Sequence, residues 1–272
     1  MKKAIVYLGA GLVLAACSSN PKSDGQETGQ KAAQEPVAPK ATGSIEKLDP
    51  ELDQILSVNQ PLEIIAEGYD WSEGPVWVEA HNFLLFSDIP PNMIYKWKEG
   101  EGRTDYLTPS GYTGDAPRGG EQGSNALTID PDGRLVLCQH GDRRMARMDA
   151  SLDVPAPKFV TLADSYKGKR FNSPNDCVYR SDGDLFFTDP PYGLEKNVKD
   201  PAKELDFQGV YRLTTAGDLV LQTDELSRPN GLAFSPDENT FYVGNSDPEH
   251  AVWMAYDLND EGNATNGRVF FD

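Results

Sequence analysis

The sequence predicts an all-β protein of the β-propeller class, and three observations predict it. Four segments can be laid over one another, beginning at Glu73, Asn125, Asn175 and Asn230, with steps of 52, 50 and 55 residues between them. Each opens on a polar residue, continues as a short apolar strand, turns, and returns as a second apolar strand. In three of them the turn falls seven and eight residues after the opening residue, at Asp132-Gly133, Asp182-Gly183 and Asp237-Glu238. Asp-Gly between alternating apolar runs is a hairpin signal. The chain of 272 residues also holds 25 Gly and 20 Pro, which favours many turns over long helices. Four short antiparallel strands per repeat of about fifty residues is the pattern of a propeller blade. A β-sandwich would give no reason for the self-similarity, and a solenoid would need a shorter period.

Taken in order, the chain starts with an address. Met1-Lys2-Lys3 is followed by the apolar run Ala4 to Ala16 and then Cys17. Thirteen apolar or small residues are too few to cross a hydrocarbon layer, which needs about 20 in a helix, so the pattern is that of a secretory signal. Leu14-Ala15-Ala16-Cys17 looks like a lipobox, which makes Cys17 the expected lipidation site and residues 1–17 a lipoprotein signal peptide. Ser18 after the cysteine resembles lipoproteins sent to the outer membrane. The expected location is therefore the cell envelope, on the periplasmic face, with membrane contact only through the lipid at Cys17. Residues 18–48 lack aromatics and periodicity and read as a flexible tether, leaving residues 49–272 for the propeller domain.

Charge divides the same way. Residues 1–50 carry six Lys against five acidic groups, whereas the remaining 222 residues carry 19 basic against 38 acidic groups. A body that acidic repels phosphate backbones and anionic headgroups, which excludes nucleic acid as a partner. With 38% hydrophobic and 10% aromatic residues, the chain has material for a core. The last repeat shows its strands most plainly: Leu232–Phe234 and Phe241–Gly244 as a hairpin, then Val252–Asp257 and Arg268–Phe271. Cys138 and Cys177 sit in apolar strand-like runs. A bridge and two buried free thiols are both open to them, and the spacing is not that of a cysteine zinc site.

In a propeller, equivalent residues of successive blades lie at one height around the axis. Glu73, Asn125, Asn175 and Asn230 should therefore converge at the channel mouth, although an Asn also opens a turn before a strand for purely local reasons. One carboxylate and several amides supply hard oxygen donors and no soft ligand. That set suits a single divalent cation, Ca²⁺ first, with Mg²⁺ or Mn²⁺ as alternatives. Such an ion can polarise a carbonyl or phosphoryl oxygen.

Trp71-Ser-Glu-Gly-Pro-Val-Trp77, Ser173-Pro-Asn-Asp176 and Arg228-Pro-Asn-Gly231 resemble the metal-site motifs of the regucalcin/gluconolactonase family of six-bladed propellers. Gly120-Glu-Gln-Gly-Ser-Asn125, His140-Gly-Asp-Arg-Arg144 and Thr188-Asp-Pro-Pro-Tyr-Gly193 resemble its bacterial gluconolactonase branch. The resemblance runs from about Leu62 to Asp272. It implies a cation-dependent hydrolase opening a small sugar lactone, monomeric when complete, with Glu73, Asn175 and Asn230 as metal ligands. Asn125 and Glu121 in the loop before it would lie beside the substrate. The family's fourth ligand, an Asp that doubles as the expected base, falls beyond Asp272. On that pattern the sequence is expected to be C-terminally truncated, with about four blades and part of the ring, and inactive by itself. Two other functions share these residues: a phosphotriesterase on the same metal site, and a non-catalytic envelope binding propeller.

Four further residues are weighed singly. His140 follows an apolar strand and could shuttle a proton, bind substrate, or be a satisfied loop histidine. Asp189, before Pro190-Pro191, could point into the mouth as a base or cap a turn. Arg143, next to Arg144, could hold a sugar-acid carboxylate, or the pair could be solvated. Asp176 directly follows a proposed ligand and could orient it from behind. His81, His250 and Lys167–Arg170 read as surface.

Overall fold

The computed structural model describes residues 40–272. The expected signal peptide, Cys17 and the first part of the tether lie outside the described residues. The tether read as reaching residue 48 ends earlier, because β1 (Lys40–Thr42) pairs antiparallel with β2 (Leu62–Ile64). Among the described residues no helix is long and apolar enough to cross a membrane.

The four repeats fold as four antiparallel four-stranded sheets. The first holds β3 (Ser72–Val78), β4 (Phe83–Asp88), β5 (Met93–Lys98) and β6 (Gly102–Leu107), and the second β7 (Ser124–Ile129), β8 (Leu135–Gln139), β9 (Arg144–Met148) and β10 (Phe159–Ala163). A small hairpin follows, half-buried β11 (Ser165–Tyr166) with exposed β12 (Lys169–Arg170), in place of a solvated loop. Lys167 and Gly168 make its turn with positive φ. The third sheet holds β13 (Cys177–Tyr179), β14 (Leu185–Thr188), β15 (Val210–Leu213) and β16 (Leu219–Thr223). The fourth holds β17 (Pro229–Phe234), β18 (Thr240–Asn245), β19 (Val252–Leu258) and β20 (Ala264–Phe271). The fourth strand of this last sheet starts four residues earlier than the apolar pattern predicts, because Ala264–Gly267 is polar or small and gives no alternation to read.

Sheet-on-sheet packing follows from the two-residue period of a strand. In β8, Leu135 and Leu137 enter the core shared with the first sheet, beside Leu85 and Ile94. Val136 and Cys138, on the other face of the same strand, enter the core shared with the third sheet, beside Phe187 and Tyr211. In β14, Leu185 and Phe187 face back while Phe186 faces forward to Phe241 and Tyr256 of the fourth sheet. A second strand buried on both faces must read as an unbroken apolar run, which is why Leu-Val-Leu-Cys and Leu-Phe-Phe-Thr do not alternate. Each large side chain so buried contributes about 1.5–3 kcal/mol relative to exposure. Cys138 and Cys177 share the core between the second and third sheets, and both thiols are free and buried.

The first strands of successive sheets lie side by side, β3 against β7, β7 against β13, and β13 against β17. Hydrogen bonds tie them at their starting ends. The Ser87 hydroxyl donates to the Asn125 carbonyl at 2.7 Å, the Ala126 N–H to the Asn175 carbonyl at 3.0 Å, and the Thr188 hydroxyl to the Asn230 carbonyl at 2.8 Å.

Candidate active site at the strand-start end

Glu73, Asn125 and Asn230 all sit where the first strand of their sheet breaks register with the second. The breaks lie between Glu73 and Val76, Ser124 and Leu127, and Pro229 and Leu232. Asn175 stands just ahead of β13, its N–H donating to the Thr188 carbonyl at 2.9 Å while Asp176 accepts from the Thr188 N–H at 3.0 Å. A bulge at a strand end re-aims a side chain without losing the sheet behind it. Gly74 shows how tight the arrangement is. Its φ is +56°, and a Cβ there would lie 2.3 Å from the Asn125 carbonyl oxygen and 2.5 Å from Ala126 Cα. Only glycine fits both demands.

The four side chains differ in what they have left to offer. The Trp71 indole N–H donates to Glu73 Oε1 at 3.2 Å, which leaves Oε2 free among the described residues. The Asn175 NH₂ faces His140 Nε2 at 3.2 Å, and the Asn230 NH₂ donates to Ser246 Oγ at 3.3 Å. Both amide nitrogens are thus occupied, and both amide oxygens lack a hydrogen-bond donor among the described residues. The Asn125 side chain is buried and makes no hydrogen bond at either amide atom within the described chain.

Asp176 is mostly buried, with Oδ1 accepting from the Cys177 N–H at 2.8 Å and Oδ2 from the Leu232 N–H at 3.0 Å. Burial raises its pKa, those two N–H groups pull it back, and the nearby charge of Glu73 raises it further. Asp176 therefore ties the third sheet to the fourth behind the proposed ligands and has no oxygen left over for another partner. The donor set that remains is one carboxylate, Glu73, and two neutral amide oxygens. It is an all-oxygen set with a second carboxylate close behind, and it fits a hard divalent cation. A cavity of about 650 Å³ adjoins Asn230 and Asp176, walled on its far side by Leu232, Tyr242, Trp253 and Phe270.

Three of the singly weighed residues are enclosed by the chain itself. His140 is fully buried, its ring enclosed between Glu121, whose Oε2 lies 3.0 Å from Nδ1, and Asn175. Glu121 is only partly exposed and faces that ring. Asp189 is fully buried too, its Oδ2 accepting from the Asn172 N–H at 2.8 Å and Oδ1 from the Ser173 N–H at 2.7 Å. Burial pushes its pKa up to about 8, against the pull of those two N–H groups. It caps the turn that carries Asn175 and does not point into the mouth. Arg143 has a φ of +58° and turns its guanidinium inward, Nε donating to the Phe171 carbonyl at 2.7 Å and Nη1 to Ala202 at 2.9 Å. It clamps two loops, and its remaining nitrogen, Nη2, is buried without a hydrogen-bond partner among the described residues. Arg144 is engaged as well, with Gln139, Asp142 and Thr161.

Residues 71–272 match the SMP-30/Gluconolactonase/LRE-like region. The chain belongs to the SMP-30/gluconolactonase family. Over 226 residues it is 45% identical to a gluconolactonase of Zymomonas mobilis, an alignment that covers 82% of this chain and 62% of that protein. A solved structure of a gluconolactonase from Xanthomonas campestris is 34% identical, with a TM-score of 0.65 over 77% of this chain and 65% of that one. Regucalcin from Agrobacterium tumefaciens, described as a calcium-binding protein, is 18% identical with a TM-score of 0.55 over 75% of this chain and 60% of that one, a likeness of fold alone. The chain thus spans less than two thirds of the length of each of these relatives. The family membership bears out the all-β propeller class. The described residues form four four-stranded sheets of that class.

Proposed function

We propose that the protein hydrolyses a small sugar lactone with the help of one divalent cation, Ca²⁺ first, held by Glu73, Asn175 and Asn230. One observation carries this reading beyond family membership. Three side chains from three separate repeats stand at one end, and the two amides among them have their nitrogens occupied and their oxygens free. Held by Glu73, Asn175 and Asn230, a hard cation would supply Lewis acidity toward a lactone carbonyl. The chain's own side chains divide the remaining work. Glu73 supplies the anionic ligand, Asn175 and Asn230 supply neutral oxygens, and Asp176 holds the strand behind them. The unpaired amide of Asn125 offers a donor and an acceptor to lactone hydroxyls. The reading also includes an envelope location with lipid on Cys17.

The test is hydrolysis of glucono-1,5-lactone by the full-length protein, followed by acid release, before and after chelation and on adding back Ca²⁺, Mg²⁺ or Mn²⁺. Chelation should lower the rate by about 100-fold or more, the scale of one lost electrostatic contact in a transition state, and Ca²⁺ should restore it. Hydrolysis that survives exhaustive chelation in metal-free protein would overturn the cation assignment.

A further inference from the structure

The chain holds four tryptophans, and one of them stands apart. Trp77, Trp97 and Trp253 lie within β3, β5 and β19. Trp71 precedes β3 at the strand-start end, and its indole N–H donates to Glu73 Oε1 at 3.2 Å. Its backbone is fixed as well. The Trp71 N–H donates to Oδ1 of the buried Asp88 at 2.8 Å, and the Trp71 carbonyl accepts from the Ile89 N–H at 3.1 Å. Yet the residue is left 58% exposed.

An exposed aromatic that is free to turn is an ordinary surface residue. One pinned at its backbone and at its single polar atom is different, because the entropy of ordering it is already lost before anything binds. Indole suits this double duty. Its N–H ties the ring to a carboxylate, and the rest of its surface stays flat and apolar.

We propose that Trp71 is a substrate-contact residue whose indole face takes the C–H face of the lactone ring. This rests on the lactone reading above and deepens it. A sugar lactone has two kinds of surface. Its rim carries hydroxyl and carbonyl oxygens, which suit the Asn125 amide and the proposed ligand set. Its faces carry C–H groups, which hydrogen-bonding side chains do not satisfy and a flat apolar surface does. Among the described residues, Trp71 is the exposed aromatic joined directly to a proposed ligand. The two oxygens of one carboxyl are neighbours, so a molecule drawn to Glu73 Oε2 comes within reach of the ring that holds Oε1. Small-molecule sites are built in this way, with aromatic walls around a few placed polar groups.

The competing role is purely local, with Trp71 only steadying the Glu73 carboxylate. Two variants separate the roles, because Trp71→Phe and Trp71→Ala both lose the N–H whereas only the second loses the ring. The probe is glucono-1,5-lactam, an amide analogue that resists hydrolysis, titrated into the full-length protein with Ca²⁺. Trp71→Ala should lose about tenfold in analogue affinity, the scale of one aromatic contact, while Trp71→Phe stays within about threefold of the parent. Calcium affinity, read by calorimetry, should be the same in the two variants. In the parent, the Trp71 indole N–H resonance, assigned by its absence from Trp71→Phe, should shift when the analogue is added. Equal losses of analogue affinity in the two variants, or an indole resonance that the analogue leaves unmoved, overturns the proposal. Should Trp71→Ala fail to fold, the resonance decides. If the shift is the same in chelator, the cation reading falls and the contact stands. If hydrolysis depends on calcium while the resonance does not move, the contact falls and the cation reading stands.

Discussion

The two ends of the second, third and fourth sheets use polar side chains to opposite effect. At the hairpin end, the carboxylates of Asp130, Asp182 and Asp237 are consumed locally. Asp130 accepts from the N–H groups of Asp132 and Arg134 at 3.0 and 2.8 Å and from the Arg134 guanidinium at 2.8 Å. Asp182 accepts from the Asp184 N–H at 3.1 Å, and Asp237 from the Asn239 N–H at 3.1 Å and the Ser235 hydroxyl at 2.6 Å. At the strand-start end, Asn125, Asn175 and Asn230 give their carbonyls to a neighbouring sheet and keep amide atoms unspent. Polar residues that satisfy themselves build turns, whereas polar residues left with spare capacity build a site.

Glycine provides the sharpest way to break that contrast. Gly74 and Gly133 both have positive φ, +56° and +79°, yet a Cβ at Gly133 would meet nothing within 4 Å. Gly74→Ala should cost about 3–4 kcal/mol, left-handed strain plus backbone overpacking. Gly133→Ala should cost only about 1 kcal/mol, strain alone. Urea unfolding of the two variants reads the difference, and equal costs would mean that the strand-start end is no more crowded than the hairpin end.

Next in size is Glu73→Gln, which removes the only anionic ligand proposed while keeping its shape. Calcium affinity should fall about 100-fold, equivalent to about 2.7 kcal/mol, with the melting temperature in chelator unchanged. If the variant binds calcium as tightly as the parent, the ligand assignment is wrong. Asn125→Ala should separate substrate from ion. Lactone turnover should drop about tenfold, near 1.4 kcal/mol, while calcium affinity holds. A parallel fall in both would move Asn125 into the cation's shell.

The smallest effect expected is one of pH, at Asp189. A carboxyl with its folded pKa raised to about 8 prefers the proton in the native state, so its contribution is complete below the unfolded value near 4 and is lost as pH rises through about 8. Melting temperatures of the parent should fall over that window, and Asp189→Asn should flatten the slope. An identical slope in both proteins would remove Asp189 as its source.

The repeat was legible because it rests on strand period and turn chemistry, which are local. The bulges were not read, although Gly74 and Gly231, lodged inside first strands, are the kind of residue that marks one. The role of Arg143 was hidden for a different reason. Nothing in His-Gly-Asp-Arg-Arg announces a left-handed arginine, and the Ala202 carbonyl it clamps lies 59 residues away. Glu121, His140 and Asp189 all stood out as chemically able, yet sequence alone could not show that they face one another or the backbone. Reactive residue types were recognisable, whereas their burial was decided by loops that three different sheets send to the same end.

The chain of contacts Ser87 to Asn125, Ala126 to Asn175 and Thr188 to Asn230 makes each sheet's position a measurement taken from its neighbour. Such indexing accumulates error. A displacement entering at the first sheet is handed on at every joint, so the distance from Glu73 to Asn230 is the least protected dimension of the site even though each joint is sound. Anyone transplanting loops into this scaffold should accordingly cut at Asp132-Gly133 and not at Asp182-Gly183, whose neighbour Ser181 donates to Glu238 of the next hairpin, and leave the hydroxyls of Ser87 and Thr188 untouched.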